Sequence, residues 1–206
     1  MIVEKVSFKY EKQNILNQIN FQVKEKEMLG IVGESGAGKS TLLRLMGNLI
    51  PIQEGTITDQ DKMGFIFQNF NLFPHLNVYD NITLSLRVNK NMTKEVIKLK
   101  AQSLLKDFGI QDKEKSFVDE LSGGECQRVA IVRALMLEPK LLLVDEATSS
   151  LDPRRRDEFM DILTRLKNDG MSIVIVSHDH DVLRAYCDRL IYLESGKIIR
   201  EESLNE

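Results

Sequence analysis

Apolar and polar residues alternate twice near the start of the chain. Val6, Phe8 and Tyr10 form one series and Ile19, Phe21 and Val23 another, which predicts two β-strands that each bury one face. The run MLGIV at 28–32 is apolar throughout and predicts a strand covered on both sides. After a glycine-rich stretch, Leu42, Leu45, Met46 and Leu49 recur at helical spacing, with Pro51 just beyond. From 76 to 138 the spacing is mostly helical. Ile97, Ala101, Leu104, Leu105 and Phe108 make one face, with Thr93 as N-cap and Gly109 as the stop. A second helix there begins near Ser122 and is broken by Pro139. Strand and helix then alternate. LLLVD (141–145) and SIVIVS (172–177) read as buried strands. Between them Asp152-Pro153 opens a helix carrying Phe159, Ile162, Leu163 and Leu166, closed by Gly170. RLIYLESGKIIRE ends the pattern as two strands around a Ser-Gly turn.

Apolar strands alternating with helices predict an α/β fold with a mostly parallel sheet covered by helices. The all-helical stretch reads as an insertion, so the expected organisation is a core from 1–75 and 139–206 with a helical lobe at 76–138. A chain of 206 residues buries roughly 70% of its unfolded surface and needs no disulfide or metal to hold it. Its 28 Lys and Arg against 31 Asp and Glu, net −3, argue against a general nucleic-acid binder. Cys126 and Cys187 have no metal-like spacing and read as reduced thiols. The N-terminus MIVEKVSFKY has no apolar leader pattern and no apolar run has the length of a membrane helix, so the expected location is cytosolic.

Three stretches carry chemistry. Gly33-Glu34-Ser35-Gly36-Ala37-Gly38-Lys39-Ser40 fits G-x-x-x-x-G-K-[ST] between a strand and a helix. Its glycines let backbone N–H groups curl around phosphates. The helix start adds positive charge, Lys39 suits β- and γ-phosphate oxygens, and the Ser40 hydroxyl suits Mg²⁺. The strand 141–145 ends in Asp145-Glu146, where one carboxylate can hold Mg²⁺ and the next can take a proton from an attacking water. Ser122-Gly123-Gly124-Glu125 opens a helix. A capping box accounts for Ser122 and Glu125 but not for the paired glycines, which leave N–H groups open as at a second phosphate-binding edge.

LSGGECQRVAIVRAL resembles the signature of ATP-binding-cassette ATPases, and the resemblance extends over essentially the whole chain through motifs in order. Tyr10 resembles the aromatic residue that stacks on adenine, Gly33–Thr41 the P-loop and Gln68 the Q-loop glutamine. Asp145 and Glu146 resemble the Walker B pair, Ser149-Ser150-Leu151-Asp152 the D-loop and His178 the switch histidine. The resemblance implies a P-loop NTPase with a RecA-like core, a small antiparallel β subdomain and an inserted helical subdomain. It also implies ATP and Mg²⁺ as ligands, with Ser40 and Asp145 toward the metal and Gln68 a catalytic residue that contacts Mg²⁺ or the attacking water and senses the membrane partner. Glu146 would be the general base, His178 would hold the γ-phosphate and Asp152 would communicate across a dimer. Ser122, Gly123 and Gly124 would bind the γ-phosphate of the opposing subunit. The implied partners are a second cassette, separate transmembrane permease subunits on the inner face of the membrane and a substrate-binding protein, with no nucleic acid. Phe70, Leu72, Phe73 and Pro74 are expected to dock on the membrane subunit. FNLFPHLNVYDNI is most similar to the ATPases of polar amino-acid importers, with export, lipoprotein-release and cell-division types as the alternative.

Four further expectations concern the remaining residues. His178-Asp179-His180-Asp181 reads as a switch histidine beside a helix cap rather than a metal cluster, because two His at i, i+2 do not share a helix face. Arg154-Arg155-Arg156 opposes the dipole at a helix start and reads as a solvated face. Only twelve residues separate Gly55 from Gln68, which implies a trimmed hairpin at the edge of the antiparallel sheet. The short stretch after Gly196 is expected to leave no room for a C-terminal regulatory domain.

Overall fold

β1 (Ile2–Tyr10) and β2 (Gln13–Gln22) pair antiparallel, setting Val3 against Phe21, Val6 against Ile19 and Phe8 against Leu16. This register puts Val3, Val6, Phe8, Leu16, Ile19 and Phe21 on one buried face and leaves Tyr10, at the end of β1, half exposed. β4 (Glu54–Ile57) adds to the other side of β1 and completes a three-stranded sheet. The second sheet has six strands in the order β5 (Met63–Ile66), β6 (Leu141–Asp145), β7 (Ser172–Ser177), β3 (Met28–Val32), β8 (Arg189–Glu194) and β9 (Lys197–Ser203). Its first five strands run parallel, and β9 returns antiparallel beside β8. β3 and β6 bury every residue, as their unbroken apolar sequences require.

The structure is a computed structural model that describes every residue except 61, 90, 91, 149, 150, 205 and 206. The chain forms two compact units, Met1–Gln68 with Lys140–Glu206, and Asn69–Pro139. Ser149 and Ser150 of the expected D-loop lie outside the described residues.

In the first unit one apolar cluster joins both sheets. Val6 and Ile19 of the small sheet meet Leu29 and Ile31 of β3, Leu143 of β6, Val174 of β7 and Leu42, Leu43 and Met46 of α1 (Lys39–Met46). Each such fully buried side chain contributes about 1.5–3 kcal/mol, which locks the start of α1 against the strands. Leu49 is not part of this helix, contrary to its spacing. The Gly47 N–H closes on Leu43, Asn48 takes a left-handed φ of 52°, and the Leu49 N–H turns back to the Arg44 carbonyl at 2.9 Å. The helix therefore stops a turn early and leaves Leu49 half exposed. Among the described residues the expected hairpin between Gly55 and Gln68 does not form. β4 pairs with β1, whereas β5 pairs parallel with β6, so this short segment crosses from one sheet to the other.

At the opposite edge Arg189, 9% exposed, places Nε 2.7 Å from Glu27 Oε1 and Nη1 2.7 Å from Glu201, with its other nitrogen on the Gln22 carbonyl. Replacing Arg189 by Met strands the Glu27 carboxylate, and the expected loss is about 3–5 kcal/mol of unfolding free energy in denaturant melts. Pairing that change with Glu27→Leu is expected to recover most of it, which a double-mutant cycle measures. Cys187 packs beside Gly30, and burial pushes its thiol up to about 12, so it is an inert core residue.

The second unit holds α2 (Val78–Asn89), α3 (Lys94–Asp107) and α4 (Gly123–Leu135), with two 3₁₀ turns between α3 and α4. Thr93 caps α3 by accepting the Val96 N–H, Ile97, Ala101 and Leu105 are buried, and Gly109 ends the segment at φ 64°. The loop before α2 is bound to the helices. Asn81, 1% exposed, accepts from the Phe73 N–H and donates to the carbonyls of Phe73, Leu76 and Asn77. Arg133 of α4 donates to the carbonyls of Phe70 and Asn71. Phe73 stays exposed on this fixed loop. Among the described residues no helix is long and apolar enough to cross a membrane.

Candidate active site

Four parallel strands end at one edge, and each hands its next residues to the site. The register aligns Val32 of β3 with Ser177 of β7, Asp145 of β6 with Val176 of β7, and Ile66 of β5 with Val144 of β6. The following residues are therefore Gly33, His178, Glu146 and, two beyond β5, Gln68. The carboxyl ends of the strands in an open α/β sheet are where such folds bind ligands.

The loop after β3 turns through Gly36 (φ 83°) and Gly38 (φ 104°), conformations that favour glycine. A Cβ on Gly38 would lie 2.8 Å from Leu16 and 3.0 Å from the Ile15 carbonyl of β2, so the β1–β2 hairpin supports the loop from beneath. A Cβ on Gly36 would meet nothing within 4 Å, which leaves the loop's outer curve open. Glu34, Ser35 and Gly36 are exposed, Ala37 is buried, and Ser40 and Thr41 begin α1 half buried. Lys39, 4% exposed, donates to the carbonyls of Gly33 at 2.7 Å and Glu34 at 3.0 Å. Its Nζ also lies 3.4 Å from Glu146 Oε1.

Ser40 Oγ donates to Asp145 Oδ1 at 2.7 Å, across 105 residues of sequence. Asp145 is 5% exposed, and burial pushes its carboxyl up while the Ser40 bond and the nearby Arg44 and Lys39 pull it down. A desolvated carboxylate beside a hydroxyl is a hard-oxygen donor set in want of positive charge, which fits Mg²⁺. Glu146 takes a left-handed φ of 44°, a conformation non-glycine residues seldom adopt, and its N–H bonds to the Val176 carbonyl at 3.1 Å. Its second carboxylate oxygen lies 3.6 Å from His178 Nδ1. Lys39, Ser40, Asp145, Glu146 and His178 thus converge.

Each of the other expected site residues has its own local setting. Tyr10 stands half exposed at the end of β1, paired with Gln13 and edge-on to Phe8 with ring centres 4.9 Å apart. Gln68 is exposed in the turn after β5. Asp152 caps α5 (Pro153–Asn168), accepting the Arg155 N–H at 3.1 Å. Ser122 and Glu125, in the helical unit, form a reciprocal capping box. The Ser122 N–H donates to Glu125 at 2.7 Å and Ser122 Oγ accepts the Glu125 N–H at 3.3 Å. Lys113 adds an ion pair to Glu125 at 3.2 Å. A Cβ on Gly124 would meet nothing within 4 Å, so packing does not account for this glycine.

The Ser122 backbone N–H, then its hydroxyl, then Lys113 hold Glu125 down to about 2 from an ordinary 4.5. A depressed carboxylate contributes stability that is complete above pH 4.5 and drains away as pH falls toward 2. The start of α4 is accordingly expected to fray only in strong acid. An NMR titration of the Glu125 carboxyl checks this, and a midpoint near its ordinary value would contradict the capping geometry.

The structure also gives partners to residues outside this cluster. The Arg154–Arg156 run is not merely solvated. Arg154 pairs with Glu158, Arg155 with Asp152, and Arg156 reaches Asp179 at 3.2 Å. The position of three arginines against the helix dipole was the available signal. Asp179 caps α6 (His180–Tyr186), and His180 Nε2 lies 2.7 Å from the Tyr192 hydroxyl. Among the described residues no group of three His, Cys, Asp or Glu is placed to hold a metal.

Known proteins resemble this chain in sequence and in fold. Residues 16–149 match the family described as ABC transporter. The chain is 41% identical over 201 residues to a methionine import ATP-binding protein of Clostridium tetani, an alignment spanning 89% of this chain and 63% of that protein. It is 36% identical to a glutamine transport ATP-binding protein of Bacillus subtilis, over 96% of this chain and 88% of that one. Among solved structures, the post-hydrolysis dimer of the ATP-binding cassette MJ0796 bound to ADP and Pi matches with a TM-score of 0.86 and 34% identity, over 100% of this chain and 99% of that chain. The chain belongs to the ABC transporter family, as an ATP-binding cassette.

Proposed function

We propose that this chain hydrolyses ATP to drive a membrane importer of amino acids or similar small polar solutes. The observation that carries the ATPase reading is the convergence of Lys39, Ser40, Asp145, Glu146 and His178 at the strand ends. The importer reading rests on relatives named for methionine, glutamine and glutamate transport.

The P-loop amides and Lys39 bind the β- and γ-phosphates of ATP, whose oxygens replace the Gly33 and Glu34 carbonyls as acceptors for Nζ. Ser40 and Asp145, with Gln68, would hold Mg²⁺, which supplies charge neutralisation on the phosphates. Glu146 accepts a proton from water as its oxygen bonds to the γ-phosphorus. The bond from that phosphorus to the bridging oxygen breaks and ADP leaves. His178, 3.6 Å from Glu146, contacts the γ-phosphate. Tyr10 stacks on adenine. A second cassette contributes Ser122, Gly123 and Gly124 at its exposed helix start, and Asp152 signals between the two subunits. Separate permease subunits, served by a substrate-binding protein, receive the exposed Phe73 loop and hold the cassette at the inner face of the membrane.

Uptake of labelled methionine, glutamine and glutamate tests this reading in cells whose own copy of this chain carries Lys39→Ala. Loss of one uptake, with the membrane subunits still expressed, is the expected result. Unchanged uptake of all three alongside impaired efflux of a solute would turn the reading to an exporter.

A further inference from the structure

The turn that carries His178 is clamped from both sides by residues the ATPase chemistry does not use. On one side the Asp179 N–H donates to Ser177 Oγ at 3.0 Å, and the Asp179 carboxylate takes the Val182 N–H and Arg156 of α5. On the other, His180 Nε2 meets the Tyr192 hydroxyl of β8 at 2.7 Å, and that hydroxyl donates to Glu202 of β9 at 2.7 Å. Arg184 and Arg200 flank the Glu202 carboxylate, and the Arg200 guanidinium stands 5.3 Å from the centre of the Tyr192 ring.

The directions of these bonds follow from proton counting. Burial, then the Glu202 bond, raises the Tyr192 hydroxyl above its ordinary range, and the Tyr192 bond first of all holds Glu202 low. Tyr192 therefore keeps its single proton and gives it to Glu202. Its oxygen is left as an acceptor, so His180 must carry hydrogen on Nε2. The chain His180 to Tyr192 to Glu202 thus runs one way, ending on a carboxylate fixed by two arginines.

We propose that His180 and Tyr192 are positioning residues for hydrolysis: their bond, anchored on Glu202, sets the turn that aims His178 at the γ-phosphate. This rests on the reading of His178 given above. A side chain that must meet the transferring phosphoryl group loses rate when its backbone is free to drift by about 1 Å, even where ATP still binds. His178 itself is largely exposed, so its own packing does not hold it.

The test measures kcat, KM for ATP and melting temperature for Tyr192→Phe, His180→Ala, their combination and His180→Gln, with His178→Ala as reference. Tyr192→Phe and His180→Ala are each expected to lower kcat about fivefold, the worth of one hydrogen bond, with little change in KM. The double variant is expected to fall no further than either single, because both remove the same bond. His180→Gln keeps an N–H donor and is expected to restore most of the rate. A ¹⁵N spectrum of the imidazoles is expected to show the Nε2–H form at His180 and its loss of order in Tyr192→Phe. If His178→Ala stops turnover while Tyr192→Phe and His180→Ala keep the wild-type kcat, the positioning role is wrong and the reading of His178 stands. If His178→Ala itself turns over normally, that reading fails and the proposal falls with it. Losses that add in the double variant, or a His180→Gln as slow as His180→Ala, would also overturn it.

Discussion

Changing Glu146 to Gln is expected to lower phosphate release on the order of 10²–10⁴-fold while leaving ATP bound. The amide keeps the size and shape of the carboxylate but cannot accept the proton of the attacking water. Binding should hold or tighten, because Lys39 Nζ loses the carboxylate 3.4 Å away that competes with phosphate oxygens for it. ATP then accumulates without being split, and the variant is expected to elute from a sizing column as a dimer only with ATP and Mg²⁺. Lys39→Ala should behave oppositely. It loses the buried ammonium that the phosphates need and is expected to neither bind nor dimerise. Wild-type turnover in Glu146→Gln, with no dimer, would mean that another group is the base and that the two-site sandwich has lost its support.

The second large effect is expected at Gly124. Aspartate there has room, because a Cβ meets nothing within 4 Å, and a carboxylate in the first turn of α4 suits the helix dipole. The expected melting temperature is accordingly equal to or above that of the parent. Turnover is nonetheless expected to fall on the order of 10²-fold or more if these N–H groups receive the opposing subunit's γ-phosphate as proposed, because the new carboxylate would occupy the approach to them. Measuring melting temperature and phosphate release on one preparation separates the two effects. A variant as stable and as active as wild type would show that the paired glycines face solvent and nothing else.

Signals confined to a few neighbouring residues are largely legible in the sequence. The P-loop, the Thr93 and Ser122 caps and the buried strands 28–32, 141–145 and 172–177 all appear where their patterns place them. Each depends on neighbours a few residues away, and backbone preference fixes these. Leu49 fails the same logic for a local reason. Helical spacing alone carries the helix to Leu49, but the left-handed turn at Asn48 ends it first. The β4–β5 segment fails for a distant one. Strand character does not name a partner, and β5 found β6 rather than β4.

The order of residues is enough to show which groups this protein carries: a phosphate loop, an acidic strand end, a glycine-paired helix start and a histidine after an apolar strand. Which of them meet is a matter of the fold. Ser40 opens the helix after β3 and Asp145, 105 residues on, ends β6; β7 lies between those two strands, and only the parallel register brings the two oxygens to 2.7 Å. The Arg156–Asp179 and His180–Tyr192–Glu202 contacts were equally hidden, since charged and aromatic residues at such separations have no periodic signature. Hydrophobic periodicity records how each element faces the core. The side chains that leave its edge are joined by strand order and register, which belong to the whole sheet.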